Sequence, residues 1–290
     1  MPHNFEKGSK MNRRAFLKSF LSVLVCKWVP GIAMAGTLAN PQPPRSINKG
    51  TGTRQAIVRQ SGFSIDQQGN VVLSPDDYSL LCTLTQRLAR LQVSAGHGNF
   101  ALMDFDTALT HARYDAYVGS FASTEIDFME KIFHQDARLY GFMGGKPLKQ
   151  ITDRVQQDEF ARVPGTGNYL FTGRSLETYH RMSGDVGNEL ILTSGIRGIP
   201  KQFYLFFRKA VVTKGNLSLA SQSLAPPGYS FHGIGDFDVG SVRLGSDNFT
   251  RQFTQTDVFK KLQDLEYVRL RYTERNHLGV RFEPWHIKVI

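Results

Sequence analysis

The spacing of apolar residues is the feature that most constrains the fold of this chain. Apolar residues recur at helical spacing in several separate segments. Ser74 is expected to cap one helix, with Pro75 at its first position, and Ser123 is expected to cap a second. Only short apolar runs such as residues 190–193 fit strands. Helices mixed with a few short strands predict an α+β fold with a small antiparallel sheet and surrounding helices, rather than a doubly wound parallel sheet.

The second half of the chain carries further predicted elements. Helices are expected over residues 175–182 and 202–213, and another is expected to start at Thr256. Residues 267–272 alternate in polarity and residues 280–283 follow a turn, which predicts a hairpin. The sequence contains neither a G-x-x-x-x-G-K-[ST] loop nor a G-x-G-x-x-G segment behind a strand, which argues against a nucleotide-binding fold.

The first 35 residues have the pattern of an export signal. Arg13 and Arg14 precede a short apolar run over residues 20–29, which ends before Ala33-Met-Ala35. The run is too short to span a membrane, so no stable span is expected after cleavage. The arginine pair followed by Phe-Leu-Lys resembles a twin-arginine signal, and an ordinary secretory signal is the alternative. Either signal predicts a periplasmic or other extracytoplasmic location.

The net charge of +10 invites a nucleic-acid hypothesis, but its distribution argues against one. Residues 1–35 hold six basic residues against one acidic residue, which is half of the excess. The remaining 29 basic and 24 acidic residues are interspersed, and no basic block resembles a nucleic-acid arm. The two cysteines, Cys26 and Cys82, exclude a disulfide framework and a zinc site built mainly from thiolates.

The composition divides the chain into four parts. An export signal occupies residues 1–35, and a linker rich in proline and glycine is expected over residues 36–60. A helical extension of unknown role is expected over residues 61–170. Residues 171–290 then form the predicted core, in which short strands accompany the helices and chemically active residues concentrate.

Two segments of the predicted core combine histidine with carboxylates on turn-rich backbone. One surrounds His232 and the other surrounds His286 at the end of the chain. Nitrogen and oxygen ligands with a nearby carboxylate are the inventory of a catalytic zinc site. Pro284 is expected to bend the chain so that Glu283 and His286 converge, because residues three apart on a straight strand face opposite sides. Taken singly, each residue also fits a structural role.

Together the motifs resemble a known family. Ser-Gly-x-Arg…Gln from residue 194, Ser-x-His-x-x-Gly…Asp from residue 230 and Glu-Pro-Trp-His from residue 283 occur in the order found in VanY-type zinc D-alanyl-D-alanine carboxypeptidases. The resemblance covers roughly residues 175–290. It implies a zinc ion as cofactor and an enzyme that hydrolyses peptide bonds.

The resemblance also implies the metal ligands. They would be His232, Asp238 and His286. The family has six residues between the first histidine and the aspartate, whereas this chain has five. Asp238 is preferred because Asp-Val-Gly matches the family's ending, and Asp236 stays as the alternative.

Four further residues receive roles by the same resemblance. Glu283 would be the catalytic base, and Arg197 would contact the substrate or the developing oxyanion. Gln202 and Ser230 are candidates for positioning the substrate. The sequence alone does not choose between the two roles of Arg197.

The implied reaction removes the terminal D-Ala from peptidoglycan stem peptides. Peptidoglycan peptides are thus the expected partners, and nucleic acid is not. Two alternatives stay open: an endopeptidase or L,D-carboxypeptidase on the same fold, and a non-catalytic module that binds the cell wall.

Overall fold

The computed structural model of the chain describes residues 49–154 and 159–289. The predicted export signal and the first part of the predicted linker lie outside these residues. Within the described ranges, none of the helices combines the length and apolarity that a membrane crossing requires.

The described residues alternate helices with very short strands. The helices are α1 (Lys49–Gln60), α2 (Pro75–Ala95), α3 (His97–Leu102), α4 (Phe105–Tyr114), α5 (Ser123–His134), α6 (Arg174–Val186), α7 (Ile199–Val212), α8 (Leu217–Ser221) and α9 (Asp257–Asp264). The strands are β1 (Ser64–Ile65), β2 (Val71–Val72), β3 (Phe160–Arg162), β4 (Tyr169–Phe171), β5 (Leu190–Ser194), β6 (Phe237–Ser241) and β7 (His286–Ile287). They form three small antiparallel sheets, β1-β2, β3-β4 and β5-β6-β7. The predicted α+β class is confirmed.

The helix starts follow local hydrogen bonding. Ser74 caps α2 as predicted, and its hydroxyl accepts a hydrogen bond from the backbone N–H of Asp77 at 3.1 Å. The predicted cap of α5 is wrong by one residue, since Ser123 is already helical and Ala122 is the cap position. The carboxylate of Glu125 accepts from the Ala122 N–H at 2.8 Å, so a glutamate one turn inside satisfies the end of the helix.

The predicted C-terminal hairpin is wrong. Residues 267–272 and 280–283 form no regular ladder, and one backbone bond joins them, from the Glu283 N–H to the Tyr272 carbonyl at 3.0 Å. The chain end pairs instead with β6, where Ile287 lies opposite Phe237. Both of these side chains are buried, so pairing with the central strand removes more apolar surface from water than an exposed hairpin would.

Part of the predicted linker is helical. Helix α1 occupies residues 49–60, although the sequence there lacks clear periodicity. Val58 is fully buried, and the Arg54 guanidinium donates to the Leu139 carbonyl at 2.9 Å. These contacts attach α1 to the body of the protein, which is why it is ordered as a helix despite a weak local signal.

The predicted helical extension shares its hydrophobic core with the predicted catalytic part. Leu84 and Leu88 of α2 belong to the same buried cluster as Phe203 and Phe207 of α7, and the two helices pack against each other. A second buried cluster lies under the three-stranded sheet and includes Val239. The helices before residue 170 therefore support the element that follows the Ser-Gly-x-Arg motif.

We expect Leu88→Ala to lower the free energy of unfolding by about 2–5 kcal/mol, because it leaves a cavity between packed helices. Leu88 is 1% exposed, whereas Val93 on the same helix is 60% exposed and provides the control Val93→Ala. Urea unfolding followed by circular dichroism measures both. A loss in Leu88→Ala no larger than in the control would contradict the shared core.

A lysine is buried where α2 and α7 meet. Lys201 is 6% exposed, and its ammonium donates to the Gln92 side-chain oxygen at 2.5 Å. It also lies 5.7 Å and 5.8 Å from the ring centroids of Phe100 and Tyr204. Burial, followed by the charge of Arg197, lowers the pKa of Lys201 from 10.5 to about 7.

This buried lysine predicts a pH dependence of stability. Between the folded pKa and 10.5 the unfolded chain binds more protons than the folded one, so the free energy of unfolding rises with pH across that window. The rise from this group across the whole window is at most about 5 kcal/mol. In Lys201→Met it should be absent, so the wild-type and variant curves should differ in slope. Urea titrations at about pH 7 and pH 10 test this, and parallel curves would refute it.

Candidate functional site

The central sheet brings the predicted ligand residues together. Asp238 in β6 lies opposite Ser194 of β5 and opposite His286 of β7. Directly opposed residues of an antiparallel pair point to the same face, so these side chains converge. His232 arrives on a short 3₁₀ turn, Phe231–Gly233, which precedes β6.

His232, Asp238 and His286 form a tight buried cluster. His232 Nε2 lies 3.2 Å from Asp238 Oδ1, and His286 Nδ1 lies 3.2 Å from the same oxygen. One donor atom from each of the three residues falls within 4.8 Å of the others. Sequence reasoning therefore selected three residues that the fold places side by side.

The outer nitrogen of each imidazole has its own partner. His232 Nδ1 lies 2.8 Å from the Gly195 carbonyl, and His286 Nε2 lies 2.9 Å from Asp236 Oδ2. Such partners fix the tautomer and orientation of histidines that bind metal. They leave His232 Nε2 and His286 Nδ1 facing Asp238, so the cluster offers two nitrogens and an oxygen. This donor set fits zinc.

The two aspartates that the sequence left open have different surroundings. Asp238 contacts both imidazoles of the cluster. Asp236 instead contacts the outer nitrogen of His286, accepts from Arg271 at 2.5 Å and accepts from the Val289 N–H at 2.9 Å. Asp238 thus lies between the inner nitrogens of the two imidazoles, and Asp236 lies on the outer side of His286.

The charges of the cluster suit metal binding at neutral pH. Burial raises the pKa of Asp238, but the charges of His232 and Arg197 outweigh it and hold that pKa well below its usual range. Burial and then the charge of Arg197 lower the pKa of His232 to about 4. The carboxylate is thus ionised and this imidazole is neutral, which are the forms that bind a metal.

His286 has the opposite shift. Burial lowers the pKa of His286, but the hydrogen bonds to Asp236 and Asp238 raise it by a larger amount. The net result is a rise from 6.5 to about 9. A cation entering the cluster would therefore displace a proton from this imidazole.

Glu283 is buried beside the cluster. The Glu283 carbonyl accepts from the His286 N–H at 3.2 Å, so the predicted bend at Pro284 is present and closes a turn between the two residues. Burial is the main cause that raises the pKa of Glu283 to about 7, and the charges of His286 and Asp238 also act on it. A carboxylate with such a pKa can accept and return a proton near neutral pH.

Arg197 is directed at the cluster. Its guanidinium donates to Asp238 Oδ2 at 2.5 Å and to the Ser194 hydroxyl at 3.0 Å, and its side chain is 14% exposed. Asp238 and Ser194 therefore hold the positively charged guanidinium of Arg197 next to the candidate metal centre.

The two residues expected to position substrate have backbone partners. The Gln202 amide donates to the Arg197 carbonyl at 2.7 Å, and its oxygen accepts from the Gly228 N–H at 2.8 Å. Ser230 is buried, and its carbonyl accepts from the Gly233 N–H at 3.1 Å. Gln202 thus ties together the two loops that carry Arg197 and His232.

Sequence reasoning missed Arg271. It neutralises Asp236 and lies 3.4 Å from the centroid of the Phe231 ring. It falls in the segment predicted as a hairpin strand, far from every motif, so no local pattern marked it. The chain end brings it to the site, because Leu270 forms an antiparallel bridge with Ile287 and the Arg269 carbonyl accepts from the Lys288 N–H at 2.7 Å.

A buried pair of imidazoles and a carboxylate, with a further buried glutamate beside them, defines a candidate centre of the zinc hydrolase class. Residues 174–290 match the model of the family described as VanY, D-alanyl-D-alanine carboxypeptidase. The match confirms, for this part of the chain, the resemblance to VanY-type carboxypeptidases. No curated protein matches the chain.

Solved structures that are similar to part of the chain include the following two. One is the LdcB LD-carboxypeptidase, with 24% identity and a TM-score of 0.36, over 42% of this chain and 59% of that one. The other is the D,D-pentapeptidase VanY from a VanB-type vancomycin resistance cassette, a mutant in complex with Zn(II). It has 22% identity and a TM-score of 0.37, over 45% of this chain and 78% of that one.

The different positions of the two aspartates predict different losses of zinc. Asp238→Ala should abolish stoichiometric binding, because it removes a donor from the cluster. Asp236→Ala should weaken the affinity about 10- to 100-fold, because it only frees His286 to reorient. Competition with a chromogenic chelator measures both affinities, with the exposed Asp264→Ala as control. Loss of zinc in Asp236→Ala alone would assign the ligand to Asp236.

Proposed function

We propose that this protein is a zinc-dependent D-alanyl-D-alanine carboxypeptidase that removes the terminal D-Ala from peptidoglycan stem peptides. The observation that carries the proposal is the buried cluster of His232, Asp238 and His286 with Glu283 beside it, inside the segment that matches the carboxypeptidase family. These three residues would hold the zinc ion. When bound, the ion supplies a Lewis acid and lowers the pKa of a coordinated water to about 7.

Glu283 acts as the general base and then as the general acid. It takes the proton from the attacking water and returns it to the amine of the departing D-Ala. Its burial supports this role, because a carboxylate with a raised pKa holds a proton long enough to return it near neutral pH. The turn from Glu283 to His286 holds the backbone of Glu283 next to that of a candidate ligand residue.

Arg197 supplies positive charge to the reaction. Asp238 and Ser194 hold its guanidinium in place before any substrate arrives, so no reorganisation is needed when negative charge develops on the carbonyl oxygen. Gln202 fixes the backbone of Arg197 relative to the loop that leads to His232. In this proposal Gln202 is a positioning residue, and Ser230 stays a candidate for contact with the substrate.

The proposal includes a location. A twin-arginine-like leader would export the protein to the periplasm or another extracytoplasmic space, where peptidoglycan peptides are found. The mature protein would then act on substrates in the wall.

The variant Glu283→Ala tests the proposal. The wild-type protein should release alanine from pentapeptide muropeptides, and a chelator should abolish the release. Glu283→Ala should lower kcat about 100- to 10,000-fold, because proton transfer is lost. Amino-acid analysis and mass spectrometry measure the products, with Glu177→Ala on the exposed face of α6 as the control.

Each other outcome identifies an alternative. Cleaved cross-links would indicate an endopeptidase, and release from tetrapeptides only would indicate an L,D-carboxypeptidase. A protein that binds no zinc and releases nothing would be a wall-binding module. Undiminished release by Glu283→Ala would remove Glu283 from the mechanism.

A further inference from the structure

An arginine that the proposed mechanism leaves unused lies beside the candidate base. Nε of Arg281 is 3.8 Å from Oε1 of Glu283. Only Phe282 separates the two residues in the sequence, and residues two apart on an extended segment face the same side. Arg281 precedes the Glu-Pro-Trp-His motif and belongs to none of the three motifs of the resemblance. The ion pair is therefore a contact at the site that no motif indicated.

The carboxylate of Glu283 has fewer partners than the other groups of the centre. Asp238 contacts both imidazoles and the guanidinium of Arg197. Each imidazole also has a partner on its outer nitrogen. Over residues 49–154 and 159–289, Arg281 is the single side chain that forms an ion pair with Glu283. Arg281 is therefore the side chain through which the protein can fix this carboxylate.

Burial makes a charged partner important for Glu283. Its side chain is 10% exposed, whereas that of Arg281 is 47% exposed. A buried carboxylate is costly unless an opposite charge or hydrogen bonds compensate it. The guanidinium supplies this charge from the more exposed side of the pair, where it keeps much of its own hydration.

Contacts with other parts of the chain hold Arg281 in place. Its Nη2 donates to the Phe249 carbonyl at 3.3 Å, and its backbone N–H donates to the Gln222 carbonyl at 2.9 Å. The guanidinium carbon also lies 5.2 Å from the centroid of the Trp285 ring, within the range of cation–π attraction. The Trp285 ring in turn packs edge-on against that of Phe249, with the centroids 6.0 Å apart. These contacts fix the guanidinium independently of Glu283.

We propose that Arg281 is a positioning residue, which holds the carboxylate of Glu283 where it can exchange a proton with the attacking water and the departing amine. This proposal rests on the proposed carboxypeptidase function and deepens it. A general base must lie within hydrogen-bond reach of the proton that it takes, so a displaced carboxylate lowers kcat. The guanidinium stays protonated throughout, so Arg281 acts by charge and position and transfers no proton itself.

Steady-state kinetics of zinc-loaded protein on a pentapeptide that ends in D-Ala-D-Ala test the proposal. Arg281→Ala should lower kcat about three- to tenfold, with KM and the affinity for zinc unchanged. Arg281→Lys should recover part of the loss, because it restores the charge without the planar guanidinium. Arg243→Ala is the matched control, since Arg243 forms an exposed pair with Glu189 at 3.1 Å. It should leave kcat unchanged.

A double-mutant cycle tests whether Arg281 acts through Glu283. In the Glu283→Ala background, Arg281→Ala should cause no further loss of kcat, because the group that it positions is already absent. The same fractional loss in both backgrounds would overturn the proposal. A raised KM with unchanged kcat would also overturn it, because that result indicates direct contact between Arg281 and the substrate.

Failure of the proposed function itself is distinguishable, because the wild-type protein would then release no alanine. Urea unfolding of the same variants still tests the pair in that case. Arg281→Ala should lower the free energy of unfolding more when Glu283 is present than in the Glu283→Ala background, because only then does it leave a buried carboxylate without its partner. Equal losses in the two backgrounds would show that Arg281 does not hold the carboxylate.

Discussion

The buried carboxylate of Asp238 is the group on which the rest of the site depends. A carboxylate that is almost completely removed from water is costly unless charged and hydrogen-bonding partners surround it. The partners here come from three places: His232 from the turn before β6, His286 from the chain end and Arg197 from the loop after β5. The register of the sheet brings the end of β5 and the chain end to Asp238. The pairing of β6 with β5 and β7 therefore also places the functional groups around this carboxylate.

A second set of residues positions the members of this cluster. Asp236 contacts His286 and the Gly195 carbonyl contacts His232, while Gln202 donates to the Arg197 carbonyl. The apolar packing of α2 against α7 then supports the helix that follows this loop. The helical extension is thus part of the scaffold of the site.

Much of the site was predictable from sequence because its motifs are local. Glu283 and His286 are three residues apart around a proline, so a bend between them could be anticipated and is present. Long helices such as α2 were also predictable, since capping and periodicity are properties of neighbouring residues. The pairing of the chain end was not predictable. Alternating polarity in residues 267–272 predicted a hairpin, but such alternation does not determine which strand the end of the chain pairs with.

The sequence by itself determined the α+β class, the main helices and the inventory of donor groups. Tertiary structure alone decided that Asp238, rather than Asp236, lies between the two imidazoles, and that Arg271 neutralises the other aspartate. The physical reason is that these relations join segments tens of residues apart, and their geometry follows from strand register and core packing rather than from local propensity.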